Sequence, residues 1–115
     1  MNRTFEELST LAPRLNESRA ARNLMEVFPK TIQFRLDGED GPFYLTIDSA
    51  RMTIAKGVSE KTDLVVAGDT REFAKVMRER VDVTHPIAQG HVSIEKGKVS
   101  EMTLLNRILW AAERK

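Results

Sequence analysis

The feature that most constrains this chain is a change of period after Pro29. Before that proline the apolar residues recur at helical spacing, and after it they alternate. Over residues 31–36, Ile32, Phe34 and Leu36 alternate with Thr31, Gln33 and Arg35. Phe43, Leu45 and Ile47 then alternate with Tyr44, Thr46 and Asp48, and Met52 and Ile54 continue the pattern past a short reversal at 48–51. Residues 37–42, between the first two runs, are dense in turn formers. Three successive segments with one dry and one wet side predict an antiparallel meander. No charge interrupts the dry positions of the first two runs, so that face must be covered, and helical patterns at both ends of the chain offer the cover.

At the amino end, Thr4 and Glu7 have capping-box spacing, with Phe5, Leu8 and Leu11 on one helical side and Pro13 expected to interrupt or kink the helix. A second helical pattern begins near Asn16, carries Ala20, Leu24, Val27 and Phe28 on one side, and must stop before Pro29. Beyond the polar loop at 57–61, residues 64–67 read as a fourth strand, apolar on both faces and hence central, with its facing unassigned. Asp69 and Glu72 form a second capping-box pair for a helix with Phe73, Val76 and Met77 on one side. Pro86 ends a polar connection, and Gly90 leads into a fifth strand over 91–95, with Val92 and Ile94 inward. The last helix is expected over 99–114. Its face of Met102, Leu105, Ile108, Leu109 and Ala112, widened by Leu104 and Trp110, is broader than a helix lying on a solvated sheet needs. The expected fold is α+β: one domain over residues 1–115, with a five-stranded, mainly antiparallel sheet covered on one face by helices. A chain of this length buries enough surface for one core.

The polar residues exclude more chemistry than they assign. Eighteen basic side chains face seventeen acidic ones, a net charge of +1 that gives no electrostatic footprint for nucleic acid. With no cysteine, the chain has no disulfide, thiolate metal site or cysteine nucleophile. His85 precedes a proline and His91 falls on a wet strand face, and neither has an acidic neighbour at triad or metal-ligand spacing. Glu6/Glu7 and Glu39/Asp40 lie in a helical first turn and in a turn, where carboxylates cap or solvate. The glycines punctuate strand ends without forming a phosphate-binding motif, and Arg14, Arg19 and Arg22 are interleaved with Glu17 and Glu26 as on a solvated face. The expectation is a protein that is not an enzyme, with no catalytic residue, metal or cofactor. No run of signal-peptide character or of about 20 apolar residues is present, so the cytoplasm is the expected location, with membrane contact at most transient. Met25, Met52, Met77 and Met102 fall at inward positions of four different elements. Flexible thioethers suit a surface that adapts to varied ligands, and they equally fill gaps in an ordinary core.

Over residues 31–109 the chain resembles the sterol carrier protein type 2 family of lipid carriers. The resemblance lies in an amino-terminal helix followed by Ile32-x-Phe34-x-Leu36, a glycine-rich turn and a three-strand meander. A strand opening with Asp63, a helix with Phe73 in its first turn, Gly90-x-Val92-x-Ile94, a further glycine and an apolar helix complete it. Gly97 comes seven residues after Gly90 where the family usually has six, Lys98 follows it where the family often has Asp, and Arg78-Glu79-Arg80 stands where glycine is frequent. The resemblance implies an apolar tunnel between sheet and helices that takes fatty acids, fatty acyl-CoA, phospholipids or sterols without a cofactor. Similar domains also occur as modules of larger enzymes. The resulting expectation is a stand-alone intracellular carrier of an apolar ligand, with Phe34, Leu36, Leu45, Ile47, Ile54, Phe73, Met77, Leu105 and Ile108 bordering the cavity. Ten buried methylenes would contribute about 8 kcal/mol before ordering costs, enough for micromolar affinity. The alternative is a protein–protein interaction or structural module whose last helix packs on another protein or on a second copy in a homodimer; exposed Leu104 or Trp110 would mark it.

Overall fold

The computed structural model describes residues 3–79 and 81–111. Its first two helices are α1 (Arg3–Glu17) and α2 (Arg19–Glu26). Pro13 sits exposed inside α1 and does not interrupt it: one lost N–H leaves the ladder running on either side. The break falls instead at Ser18, whose Oγ accepts from the N–H of Ala21 at 3.2 Å and caps α2. That cap starts the helix later than residue 16 and rotates its buried side. Ala21, Met25 and Phe28 face the core, whereas Ala20 is exposed and Val27 is 72% exposed. The expected Thr4/Glu7 capping box does not form. Glu39 reaches the start of α1 from a distant turn and accepts from the N–H groups of Thr4 (2.9 Å) and Phe5 (3.4 Å). Thr4 shares a 2.6 Å hydroxyl bond with Thr70, Thr70 donates to Glu39, and Glu7 pairs with Arg78.

The sheet is formed by β1 (Thr31–Asp37), β2 (Phe43–Asp48), β3 (Arg51–Lys56), β4 (Leu64–Asp69) and β5 (Val92–Lys96), in the order β3-β2-β1-β4-β5. Three of the four pairings are antiparallel, and β1 with β4 is parallel. Ser49 and Ala50, both at positive φ (53° and 58°), make the two-residue turn between β2 and β3, a twist that matches the strands. The pairing of Ile32 with Leu64 and Phe34 with Val66 settles the facing of β4: Leu64 and Val66 point to the dry side, Val65 and Ala67 to the other. On that other side, buried Gln33 holds the 57–63 connection across the sheet. Its Nε2 donates to the carbonyls of Phe43 (2.9 Å) and Gly57 (3.0 Å), and its Oε1 accepts from Ser59 N–H (2.9 Å).

The dry side carries all the helices: α1, α2, α3 (Thr70–Arg78), the short α4 (Thr84–Ala88) and α5 (Val99–Ala111). The connection read as polar therefore contains a helical turn, with Val83 and Pro86 buried. Helix α5 lies against α1, α2 and α3, which accounts for its wide apolar face. Met102, Leu105, Ile108 and Leu109 are buried, Leu104 is part-buried, and Trp110 donates its Nε1–H to the carbonyl of Val76 at 2.7 Å. The face required by the interaction-module alternative is thus covered by the chain itself. Ala112 and the expected end of this helix, like Arg80, lie outside the described residues.

Asp69 caps α3 by accepting from Arg71 N–H at 2.8 Å, but Glu72 turns to Lys75 (3.1 Å). A capping box is unavailable because the N–H of Asp69 already donates to His91 O at 3.0 Å. The side-chain and backbone hydrogen bonds from Arg71 hold the Asp69 carboxyl below its ordinary value of 3.8. A depressed folded pKa contributes stability above the unfolded value that is lost as pH falls through the folded one. Asp69→Ala is therefore expected to lose about 1 kcal/mol at neutral pH. Urea denaturation of both proteins should show that gap narrowing only below about pH 4; a gap unchanged down to pH 2 would contradict the charged cap.

Candidate ligand-binding site

The candidate site begins with strand register. Ile32, Phe34 and Leu36 on β1, Phe43, Leu45 and Ile47 on β2, and Leu64 and Val66 on β4 form one continuous apolar face. Phe34 stacks on Phe43 with centroids 4.9 Å apart and meets Phe73 edge-on at 5.3 Å, while Phe43 meets Phe5 edge-on at 5.4 Å. The result is an aromatic row from the first turn of α1 to the first turn of α3. The roof above it comes from Leu8 and Leu15 of α1, Met25 of α2, Val76 and Met77 of α3, and Met102, Leu105 and Ile108 of α5.

Eight of the nine residues expected to border a cavity are buried together in this cluster: Phe34, Leu36, Leu45, Ile47, Phe73, Met77, Leu105 and Ile108. Ile54 is part-buried at the periphery. The methionines at 25, 52, 77 and 102 are all buried and come from α2, β3, α3 and α5. Among the described residues the buried polar side chains are Thr4, Gln33, Thr70 and Asn106, and every buried side-chain polar atom has a hydrogen-bond partner. Asn106, for example, accepts from the N–H of Val83 at 3.0 Å. His85 and His91 are exposed, and no group of metal-ligating side chains converges among the described residues.

Hollows lined by described residues open at the edges of this interior. A groove of about 480 Å³ runs between α1 and β3, lined by Ser9, Pro13, Asn16, Arg51 and Ile54 among others. Across it, Asn16 imitates a neighbouring strand, donating to the carbonyl of Met52 (2.9 Å) and accepting its N–H (2.7 Å). Another hollow, a cleft of about 220 Å³, is lined by Phe5, Asp40, Gly41, Pro42, Phe43, Lys56 and Gly57. It lies at the outer end of the aromatic row. None of the nine expected residues lines it, although the alternation carries a signal: Met52, Ile54 and Lys56 are successive positions on the dry side, so the last is a charge where an apolar residue is expected.

Solved structures share this architecture. The sterol carrier protein domain 2 of Helicoverpa armigera superimposes with a TM-score of 0.75 at 18% identity, covering 99% of this chain and 91% of that one. A structure titled UbiJ-SCP2 ubiquinone synthesis protein gives 0.75 at 16% identity, over 91% of this chain and 86% of the other. Sterol carrier protein 2 from Yarrowia lipolytica, in its apo form, gives 0.72 at 16% identity, over 97% and 91%. At such identities these likenesses establish the fold. No curated protein matches the sequence. The family model described as SCP-2 sterol transfer family matches residues 7–109, nearly the whole chain, and the protein belongs to that family.

Proposed function

We propose that the chain binds a long apolar ligand, an acyl chain first of all, between the sheet and its helical roof, and carries it without transforming it. The family is one of lipid and sterol binding or transfer. The observation that carries the finer reading is the composition of the interior: a continuous apolar face in one cluster with four buried methionines, with no charged side chain buried among the described residues. Such a surface stabilises methylenes at about 0.8 kcal/mol each and offers no group for acid, base or nucleophilic work. A closed interior admits a chain only if side chains move aside, and unbranched methionines repack at little cost. In this reading the nine residues named above border the ligand. Delivery through the cytoplasm belongs to the same proposal; no helix among the described residues is long and apolar enough to cross a membrane.

Delipidated protein titrated with a fluorescent fatty acid is expected to saturate in the micromolar range, with weak dependence on salt for the acyl part. Sterols and a polyprenyl chain complete the panel, the latter because one structural relative carries a ubiquinone-synthesis title. Absence of saturable binding by every member of the panel would overturn the reading.

A further inference from the structure

We propose that the cleft at Phe5, Phe43 and Lys56 is the head-group end of the ligand site, where Lys56 selects single-chain amphiphiles with a carboxylate head over neutral ones of equal length. This rests on the acyl-binding reading above. Lys56 is the last residue of β3 and lies opposite Phe43, on the side of the sheet that carries the helices. Its ammonium stands 5.1 Å from the centroid of the Phe5 ring, where the π face holds it at the mouth of the cleft. Among the described residues no carboxylate is in ion-pair contact with it; the ion pairs there use Lys30, Arg35, Arg71, Lys75 and Arg78. The nearby acids are engaged. Glu39 is held by the first turn of α1 and by Thr70, and Asp40 on the rim has a contact of its own.

Of the other lining residues, Phe5, Pro42 and Phe43 are apolar, Gly41 and Gly57 present backbone, and Asp40 is the engaged carboxylate on the rim; Phe43 stacks directly on Phe34 of the interior face. At about 220 Å³ the cleft holds about seven water-sized groups, room for a head and the first few methylenes but not for a whole lipid. One cation at the mouth and an aromatic floor continuous with the apolar interior match an anionic head followed by a chain. A competing role for Lys56 is protection of the edge strand, since inward charges discourage strands from pairing with other molecules. The two roles differ in what they do to ligand preference.

The test uses a neutral pyrene-alkane probe, displaced from delipidated protein by palmitate, by hexadecanol or by acetate. For the wild type, palmitate is expected to compete about fivefold to tenfold better than hexadecanol, the size of a half-exposed charge-assisted contact. Lys56→Gln should abolish that preference by weakening palmitate alone, and Lys56→Arg should keep it. Acetate should displace nothing. The assignment is overturned if wild type shows no preference, if Lys56→Gln retains it, or if acetate competes as well as palmitate. Failure of the probe itself to bind would overturn the acyl-binding reading, and this assignment with it.

Discussion

Phe34→Ala is expected to lower folding stability by about 3–5 kcal/mol. Phe34 is fully buried in β1, the middle strand of five, flanked by β2 and β4. Its ring stacks on Phe43 and meets Phe73 edge-on, so truncation removes two aromatic contacts as well as the buried area. Neighbouring side chains close the hole only in part, because strands paired on both sides hold the backbone in place. At about 4 °C per kcal/mol for a domain of this size, the melting temperature should fall by about 10–20 °C. Urea denaturation of delipidated wild type and mutant checks this, since bound lipid would stabilise either protein. A loss below 1 kcal/mol would mean that the aromatic row is not packed as described.

Gly68→Ala should be comparably severe through backbone alone. Gly68 lies inside β4 at φ +146°, and a Cβ there would come within 2.3 Å of the carbonyl oxygen of His91 and 2.8 Å of the Cα of Val92. Both obstacles are backbone, so no rotamer change relieves them. β5 must move off β4, breaking the bond from Asp69 N–H to His91 O beside the α3 cap. Strain and overpacking together are expected to cost about 2–5 kcal/mol. Hydrogen exchange should show β5 amides losing protection ahead of those in β1 and β2. Gly41→Ala is the control, with nothing within 4 Å of the added methyl, and should be close to neutral. Near-wild-type protection of β5 in Gly68→Ala would contradict the close approach.

Period and cap chemistry made most of the elements legible, because both act within a few residues. The alternation of Ile32/Phe34/Leu36 and of Phe43/Leu45/Ile47 names the dry face correctly, and Asp69 starts α3 as its chemistry demands. What escaped was set by distant partners. Glu39 took the Thr4 N–H that the Thr4/Glu7 pattern reserved for Glu7, and His91 took the one that Glu72 needed. The pairing of β1 with β4 is parallel, and no local signal in either strand encodes it. Gly68 reads as strand-end punctuation, yet its function is to let β5 approach. At the candidate site, the apolar residues were legible as inward positions, whereas the cleft depends on the juxtaposition of α1, the β1–β2 turn and the end of β3. Lys56 alone left a trace, as a charge in the inward alternation.

The claim that the ligand lies between sheet and helices is tested most directly by isotope-filtered NMR of the delipidated protein with an unlabelled fatty acid. NOEs from the acyl chain are expected at the methyl groups of Leu36, Leu45, Ile47, Met77, Leu105 and Ile108. Val65 and Ala67, on the opposite side of the sheet, should show none. Saturable binding with NOEs confined to Val65, Ala67 or the exposed Val27, Val58 and Val99 would contradict the account.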